Sequence, residues 1–235
     1  MIRSIDTLTK NFQILQKRQE NTSSNMANSQ TTGYQSQRLF QQTLEEVEMM
    51  NYQGGPEVNR RNPIGGFVFG NEIVGSALNT ARGAMEQTSS ATDFAVQADG
   101  YFSIRMPNGE ESYTRNGQFV VNAQNQLTTQ EGYLVLGENN QAILANDPRP
   151  TFKIMSFDEP QRLEIIGNGY LTSPIAGTIV PNVSVKQGYL ETSNITVADE
   201  MVELMQTARE YEANQKVLST VNQTLQKATN EIGRV

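Results

Sequence analysis

The sequence contains no cysteine, no histidine and no tryptophan. These absences exclude a Ser-His-Asp triad, a cysteine nucleophile, a Cys/His zinc site, an iron–sulfur cluster and any disulfide. Carboxylates are the remaining candidates for acid–base catalysis. Pairs such as Glu110-Glu111 and Asp158-Glu159 lie in predicted turns, where solvation explains them. We therefore expect no enzyme activity, no bound cofactor and no metal ion.

Clustered basic residues and uninterrupted apolar segments are also scarce. The net charge is −7, and the adjacent basic pairs are Lys17-Arg18 and Arg60-Arg61, which is too little positive charge for a nucleic-acid surface. The longest charge-free stretch, residues 165–185, is broken by Pro174 and Pro181. No apolar leader follows the first residues. We expect no nucleic-acid partner, no direct membrane insertion and no cleaved signal peptide.

Uncharged polar groups take the place of the missing charges and apolar residues. The 235 residues include 22 Asn, 22 Gln, 21 Thr and 15 Ser, whereas hydrophobic residues make up 37%. The chain is long enough to bury a core, as one large domain or two small ones. Amide and hydroxyl hydrogen bonds are therefore expected to hold much of the fold together.

The N-terminal region predicts an amphipathic helix, because apolar residues recur at intervals of three and four. The positions of this seam are Ile5, Leu8, Phe12, Leu15, Gln19, Thr22 and Met26. The pattern ends in a run of amides and hydroxyls over residues 21–37. Gly33 in that run can supply the positive φ that ends a helix.

The C-terminal region predicts a second and longer helix of about 36 residues, or roughly 54 Å. Its seam is Val197, Met201, Leu204, Ala208, Tyr211, Gln215, Leu218, Asn222 and Leu225. Asp199, Glu200 and Glu203 crowd its first turns, where they complement the helix dipole.

The middle of the chain predicts antiparallel β structure, because Asp99-Gly100, Asn108-Gly109 and Asn116-Gly117 favour tight hairpin turns between short apolar segments. Residues 51–70 are rich in Gly and Pro and predict an irregular arm. The fold class is therefore α+β: long N- and C-terminal helices, paired as a coiled-coil-like module, plus a β-rich antiparallel domain.

The two helical seams are individually weak, because Gln19, Thr22, Gln215 and Asn222 occupy seam positions. Apolar residues also lie off the seam of the second helix, at Val202, Met205, Val217, Val221, Ala228 and Ile232. Two interpretations follow. The helices either pair within one chain, or they complete their packing in a self-assembled polymer, which is the hypothesis we favour.

Seven segments of the chain form an ordered set of motifs. The first is Asn-Met-Ala-Asn-Ser-Gln-Thr-Thr-Gly-Tyr at residues 25–34. The others are residues 84–88, 93–102, 113–119, 126–133, 187–195 and 209–214. In content and order these segments resemble those of the bacterial flagellar basal-body rod and hook proteins, and best the rod proteins of the FlgG and FlgF type. No large extra domain is inserted, which argues against a full hook protein.

The resemblance implies a structural axial subunit of the flagellar basal body. Its D0 module would comprise residues 1–45 and 191–235, its linker arm residues 46–70, and its D1 domain residues 71–190. The subunit would assemble helically into the drive shaft that transmits torque from motor to hook. Its implied partners are further copies of itself, other rod and hook proteins, and the flagellar type III export apparatus. It would be exported without a cleaved signal peptide.

The residues expected to mediate assembly lie on the two helices and in the family-like segments beside them. They are Leu8, Phe12, Leu15, Asn25, Asn28, Thr32, Gly33, Tyr34, Gly188, Tyr189, Ser193, Asn194, Met201, Leu204, Tyr211, Asn214, Leu218 and Leu225. The alternative is a monomeric secreted glycan- or protein-binding β module on a helical stalk. In that case exposed Tyr101, Tyr113, Tyr133 and Tyr170 could stack on sugars.

Overall fold

The computed structural model describes residues 2–53, 60–68, 70–147, 150–167, 169–181 and 183–232. It confirms an α+β fold with two long helices and a β-rich antiparallel domain. The chain forms two compact units. Unit 1 comprises Met1–Ser23, Leu39–Ser76 and Ala198–Val235, and unit 2 comprises Ser24–Arg38 and Ala77–Val197. Among the described residues, no helix combines the length and apolarity needed to cross a membrane.

Both predicted helices are present. Helix α1 spans Ile2–Ala27 and helix α2 spans Val197–Ile232. Asp199 and Glu200 lie in the first turn of α2, where their charges favour the helix dipole. On α1, Leu8 and Leu15 are buried as predicted, whereas Gln19 is exposed.

The inward face of α2 differs from the predicted one at alternate positions. Leu204, Leu218 and Leu225 are half-buried as expected, but Met201, Ala208, Gln215 and Asn222 are exposed, and so are Val197 and Tyr211. The other side chains on the inward face are Thr207, Asn214, Val221 and Ala228. The first three come one residue before the predicted positions Ala208, Gln215 and Asn222. Each such step rotates a position by about 100° around the helix. Thr207 and Asn214 are polar, so the apolar spacing did not indicate them. The prediction of Ala208 and Gln215 as inward positions was therefore wrong.

Four strands come early in the chain and make up two pairs. Strand β1 (Gln37–Thr43) pairs with β4 (Asn71–Leu78), and β2 (Glu46–Gln53) pairs antiparallel with β3 (Arg60–Val68). The β2–β3 pair lies where the Gly- and Pro-rich composition predicted an irregular arm. Its register shifts between Met49 and Met50, opposite Gly65 and Pro63. Proline has no N–H to donate to a neighbouring strand. A β-ladder tolerates this loss where its register shifts.

Unit 2 contains the remaining strands, which are short. They are β5 Met85–Gln87, β6 Phe94–Val96, β7 Tyr101–Arg105, β8 Glu111–Thr114, β9 Val120–Val121, β10 Leu127–Thr128, β11 Leu134–Val135, β12 Ile154–Ser156, β13 Glu164–Gly167, β14 Tyr170–Thr172, β15 Thr178–Ile179, β16 Val185–Gln187 and β17 Tyr189–Glu191. A 3-10 helix, Pro160–Arg162, precedes β13. In the described residues the main sheet has the order β13-β14-β8-β7-β11-β10-β9, and β12 joins β7 and β15.

Of the three predicted hairpin turns, one joins paired neighbours. Asn108-Gly109 connects β7 to β8, with Phe102 opposite Thr114. Asp99-Gly100 instead leads from β6 to β7, which lie in different sheets. Asn116-Gly117 does not form a hairpin either, because β9 pairs with β10 rather than with β8. Gly117 is needed for a close approach: a Cβ there would lie 1.6 Å from the Phe94 carbonyl oxygen.

Two apolar clusters form the core of unit 2. The larger one is centred on aromatic rings, with Phe102 5.2 Å from both Phe119 and Phe152 between ring centroids. The smaller one groups Leu78, Tyr101, Leu163 and Leu171. Edge-to-face rings at these distances add to the gain from burial. The antiparallel sheet of unit 2 is therefore held by a packed aromatic and aliphatic interior.

Candidate functional site

The two family-like segments at opposite ends of the chain meet within unit 2. We call residues 24–38 the strap. Hydrogen bonds join it to Glu191 and Asn194, to Asn116 and to Asn79. This meeting point is built mainly from amide, hydroxyl and backbone groups, as the composition predicted. It brings together Asn25, Thr32, Gly33, Tyr34 and Asn194 of the predicted set.

Asn25 closes the strap on itself. Its side-chain Nδ2 donates to the Gln37 carbonyl oxygen at 3.1 Å, and its Oδ1 accepts the Gln37 N–H at 3.1 Å. The carboxamide thus pairs with the backbone as a strand neighbour does. Because Asn25 is buried, the loss of this side chain would leave backbone groups of Gln37 without these partners.

The tip of the strap lies against the end of β8. Gly33 has a φ of +65° and donates its N–H to the Glu191 carbonyl oxygen at 2.7 Å. A Cβ at Gly33 would lie 2.3 Å from the Arg115 carbonyl carbon, so this position requires glycine for both space and conformation. Beside it, Thr32 Oγ1 donates to Asn116 Oδ1 at 2.7 Å.

Asn194 connects three segments through one side chain. Its Oδ1 accepts the Ser36 N–H at 2.9 Å, while its Nδ2 donates to the carbonyl oxygens of Asn79 and Ala81, each at 2.8 Å. Its own N–H donates to the Tyr34 carbonyl oxygen. Asn194 therefore fixes the chain to the strap just before helix α2, which begins at Val197.

A buried ion pair lies beneath the strap. Arg115 Nη1 donates to Glu191 Oε2 at 2.9 Å, and both side chains are 3% exposed. The Arg115 guanidinium also lies over the Tyr101 ring, 5.3 Å from its centroid. The Tyr101 hydroxyl donates to Gln35 Oε1 at 3.0 Å. Burial raises the pKa of Tyr101, although the positive charge of Arg115 opposes the shift.

Gly188 lets the chain change sheets between β16 and β17. It has a φ of +73°, and β16 pairs with β6 whereas β17 pairs with β5. Its N–H donates to the Asp93 carbonyl oxygen at 2.8 Å. Next to it, the Tyr189 ring lies under Lys186 Nζ, 3.5 Å from the ring centroid.

The remaining predicted residues of these segments have local roles. Asn28 donates to the Ser24 carbonyl oxygen at 2.9 Å, at the end of α1. Ser193 Oγ accepts the Ile195 N–H at 3.3 Å. Tyr34 is buried, and its ring lies 3.9 Å from the point that a Cβ of Gly169 would occupy.

The helix residues of the predicted set lie in unit 1. The Phe12 and Tyr211 rings meet edge to face with 5.0 Å between centroids. Near them Arg18 binds Glu203 at 2.5 Å and Glu210 at 2.8 Å. Asn214 is half-buried on the same helix, whereas Met201 is 51% exposed.

Sequence reasoning missed Gln35, Ser36, Arg115, Asn116 and Glu191, although these residues stand in or beside family-like segments. A signal was present for the ion pair. Arg115 and Glu191 are opposite charges next to strand residues that predict burial, and a buried charge requires a partner. Pairing them from sequence alone was not possible, because 76 positions separate them.

The tyrosines of the alternative interpretation are not a sugar-binding surface. Tyr101 and Tyr170 are buried, and Tyr113 and Tyr133 are half-buried. The Tyr170 hydroxyl donates to Glu131 Oε2, and its ring contacts that of Tyr133 at 5.3 Å. In the part of the chain that the structure describes, no group of three or more acidic side chains is placed to hold a metal ion.

Comparison with known families defines the class of protein. The model for the flagellar hook protein FlgE/F/G D1 domain matches residues 95–205, and the model for the flagellar basal body rod FlgEFG protein C-terminal region matches residues 186–231. Both describe hook and rod proteins of the bacterial flagellum. The matches span the β-rich part of unit 2, the segment that carries Glu191 and Asn194, and nearly all of α2.

Curated relatives narrow the class further. The flagellar basal-body rod protein FlgG of Caulobacter vibrioides is 32% identical over 89% of this chain and 91% of its own length. FlgG of Borreliella burgdorferi is 27% identical over 98% of both chains, and the flagellar hook-basal body complex protein FlhP of Bacillus subtilis is 27% identical over 96% and 97%. The chain belongs to the family of flagellar basal-body rod proteins of the FlgG kind. This family is structural, so the prediction that the protein is not an enzyme is confirmed.

Proposed function

We propose that this protein is an axial subunit that self-assembles helically through its terminal helices to form the rod. The assembled rod is the drive shaft that transmits torque from the motor to the hook. Each subunit would contribute many modest contacts. Contacts between two different surfaces of neighbouring copies extend a polymer without closing it, which suits a shaft.

The observation that carries this proposal is the uncovered apolar surface of α2. Val197, Met201, Val202, Met205 and Val217 are each 38–55% exposed. A helix with more apolar surface than its own chain covers is expected to pack against further partners. Neighbouring copies of the same helix bundle are the partners that a rod subunit would meet.

Contacts between α1 and α2 support a coiled-coil-like pairing within each subunit. Phe12 contacts Tyr211, and Arg18, six residues further along α1, binds Glu203 and Glu210. The contacts run in opposite directions along the two helices, which supports antiparallel pairing. Glu203 and Glu210 are seven residues apart, the repeat length of a heptad.

The wider assignment follows from the same proposal. We infer a D0 module from residues 1–45 and 191–235, a linker arm from residues 46–70 and a D1 domain from residues 71–190. The partners would be further copies of this chain, other rod and hook proteins and the flagellar type III export apparatus. The protein would reach the basal body without cleavage of a signal peptide. The secreted binding module is disfavoured, because buried Tyr101 and Tyr170 offer no stacking surface.

The first experiment tests the exposed face of α2. We would replace Met201 and Met205 together with Asp, and compare this variant with one that carries Asp at two exposed polar positions, Gln215 and Ser219. Electron microscopy would count rods in a strain that carries each variant, and swimming assays would measure motility. We expect the methionine variant to lose rods and motility while its purified monomer keeps its helix content. Normal motility in that variant would contradict the proposal.

A second variant tests the seam rather than the free face. Replacing the half-buried Leu204 and Leu218 with Asp should abolish assembly and lower the helix content of the monomer. Unit 2 should stay folded, as judged by its near-ultraviolet circular dichroism. Retained motility in this double variant would count against a role for the terminal helices in the shaft.

A further inference from the structure

Most of the described contacts between the strap and the rest of unit 2 are polar. Neither apolar cluster of unit 2 includes a strap residue, although Tyr34 is itself buried. Hydrogen bonds join Thr32, Gly33, Gln35 and Ser36 to groups of the remaining unit. The two apolar clusters are therefore complete without the strap, whereas the strap depends on the surface beneath it.

Glu191 links one of these strap contacts to the surface beneath the strap. Its backbone carbonyl accepts the Gly33 N–H, its Oε2 binds Arg115, and its Oε1 accepts the Gly83 N–H at 3.1 Å. A buried carboxylate must be compensated, and here all of its partners belong to the surface that receives the strap. We call the groups that bind the strap the docking surface. It is incomplete until strand β17, which ends at Glu191, is in place.

We propose that the strap is a latch. It closes on the rest of unit 2 in a separate step, after the Arg115–Glu191 pair has formed, and it opens without unfolding of the main sheet. The docking surface needs residues from both halves of the chain, because Asn116 and Arg115 follow β8 whereas Glu191 ends β17. Closure thus ties the segment after α1 to the segment before α2 once both are present. This inference stands on the contacts of unit 2 alone and does not depend on the proposed function.

The test compares Glu191→Gln with Glu86→Gln in the full-length protein at low concentration. The first change keeps the size of the side chain and an acceptor for Gly83, but leaves the buried Arg115 without a countercharge. Glu86 is exposed on β5, opposite Leu190 of β17, so its replacement is a matched control. The measurements are amide hydrogen exchange over residues 31–38 and over β7 and β8, and the rate of chymotryptic cleavage after buried Tyr34.

We expect Glu191→Gln to speed both exchange in the strap and cleavage after Tyr34 by about 10- to 100-fold. This range corresponds to the loss of one charged hydrogen bond, here the bond between Arg115 and Glu191. Exchange in β7 and β8 should stay as it is in the parent, and Glu86→Gln should change nothing. Unchanged strap exchange would overturn the proposal. A rise shared equally by the strap and by β7 and β8 would overturn it too, because the strap would then open only with the whole unit.

A milder variant keeps the test decisive if Glu191→Gln does not fold. Thr32→Val preserves the shape of a half-buried side chain and removes the hydroxyl that donates to Asn116. We expect about a 3- to 10-fold faster cleavage after Tyr34 with no change in β7 and β8. Parent-like cleavage in this variant would count against a latch held by these bonds.

Discussion

Unit 1 and unit 2 achieve burial in different ways. Among the described residues, the buried apolar side chains of unit 1 are Leu8, Ile14 and Leu15, whereas α2 exposes Met201 and Met205. Unit 2 instead encloses clustered phenylalanines around Phe102, which is 0% exposed. The difference predicts that unit 2 is stable by itself, and it supports the proposal that unit 1 completes its packing with further partners. A subunit that assembles as proposed would need both kinds of region.

The largest effect should come from the core of unit 2. Phe102→Ala removes a ring that packs against Phe119 and Phe152, and we expect a loss of about 3–5 kcal/mol in the free energy of unfolding. The matched change in unit 1 is Phe12→Ala, which should leave the unfolding midpoint of unit 2 unaltered. Chemical denaturation followed by near-ultraviolet circular dichroism measures both. Equal effects of the two changes would erase the distinction between the units.

The next effect concerns the tip of the strap. Gly33→Ala introduces a Cβ 2.3 Å from the Arg115 carbonyl carbon at a φ of +65°, and should cost about 2–4 kcal/mol through strain and a lost contact. Gly109→Ala is the control, since Gly109 has a φ of +86° but no atom within 4 Å of the added Cβ. It should cost about 1–2 kcal/mol. Denaturation curves of the two variants would separate the clash from the conformational strain.

A smaller effect should appear in unit 2 at alkaline pH. Burial raises the pKa of Tyr101 and of Tyr170 above the ordinary value of 10 in the folded state. The unfolded chain therefore ionises first, so this contribution is fully present below about pH 10 and is lost as the pH rises further. Tyr101→Phe should flatten the fall in stability above pH 10, which chemical denaturation at a series of pH values would measure. A fall that is identical in the parent and in this variant would exclude Tyr101 as a cause.

The smallest effect should come from the ion pairs between the helices. Arg18→Gln removes contacts to Glu203 and Glu210, whose side chains are 42% and 51% exposed, so we expect a loss of about 0.3–1 kcal/mol in helix pairing. The loss should shrink at high salt because exposed charges are screened. Helix content measured by circular dichroism at low and high salt tests this. A loss that does not depend on salt would indicate packing of the Arg18 stem instead.

The helices were predictable because their apolar spacing extends over many turns. The orientation of α2 was not, since Leu204, Tyr211, Leu218 and Leu225 fit two seams that differ at the alternate positions. Thr207, which is 2% exposed, decides between them, yet its polar side chain gives no apolar signal. Tertiary contacts select the seam, and periodicity cannot supply them.

The strands of unit 2 were partly predictable for a related reason. The turn at Asn108-Gly109 encodes its hairpin locally, because both positions tolerate the required backbone angles. The sequence of Asn116-Gly117 is similar, but contact with the Phe94 carbonyl decides its use. Strands β1 and β4 are largely exposed, so their pairing leaves no alternating apolar pattern.

The segments that form the candidate site could be predicted from the sequence, but their meeting at one place could not. Asn25 and Asn194 could be named from their family-like surroundings, but their separate bonds to Gln37 and Ser36 depend on long-range docking. The Arg115–Glu191 pair that supports them requires knowledge of which strands are neighbours. Sequence spacing carries no such information over these separations.

The most direct test of the difference between the units is amide hydrogen exchange of the full-length monomer at low concentration, repeated on assembled rods. We predict slow exchange throughout β7 and β8 in both states. The amides of α2 beyond residue 212 should exchange at least about 100-fold faster in the monomer than in the rod, because none of the described side chains there is fully buried and helices with little tertiary cover are marginal in water. If that part of α2 were already as protected as β7 and β8 in the monomer, unit 1 would be complete by itself and the account would be wrong.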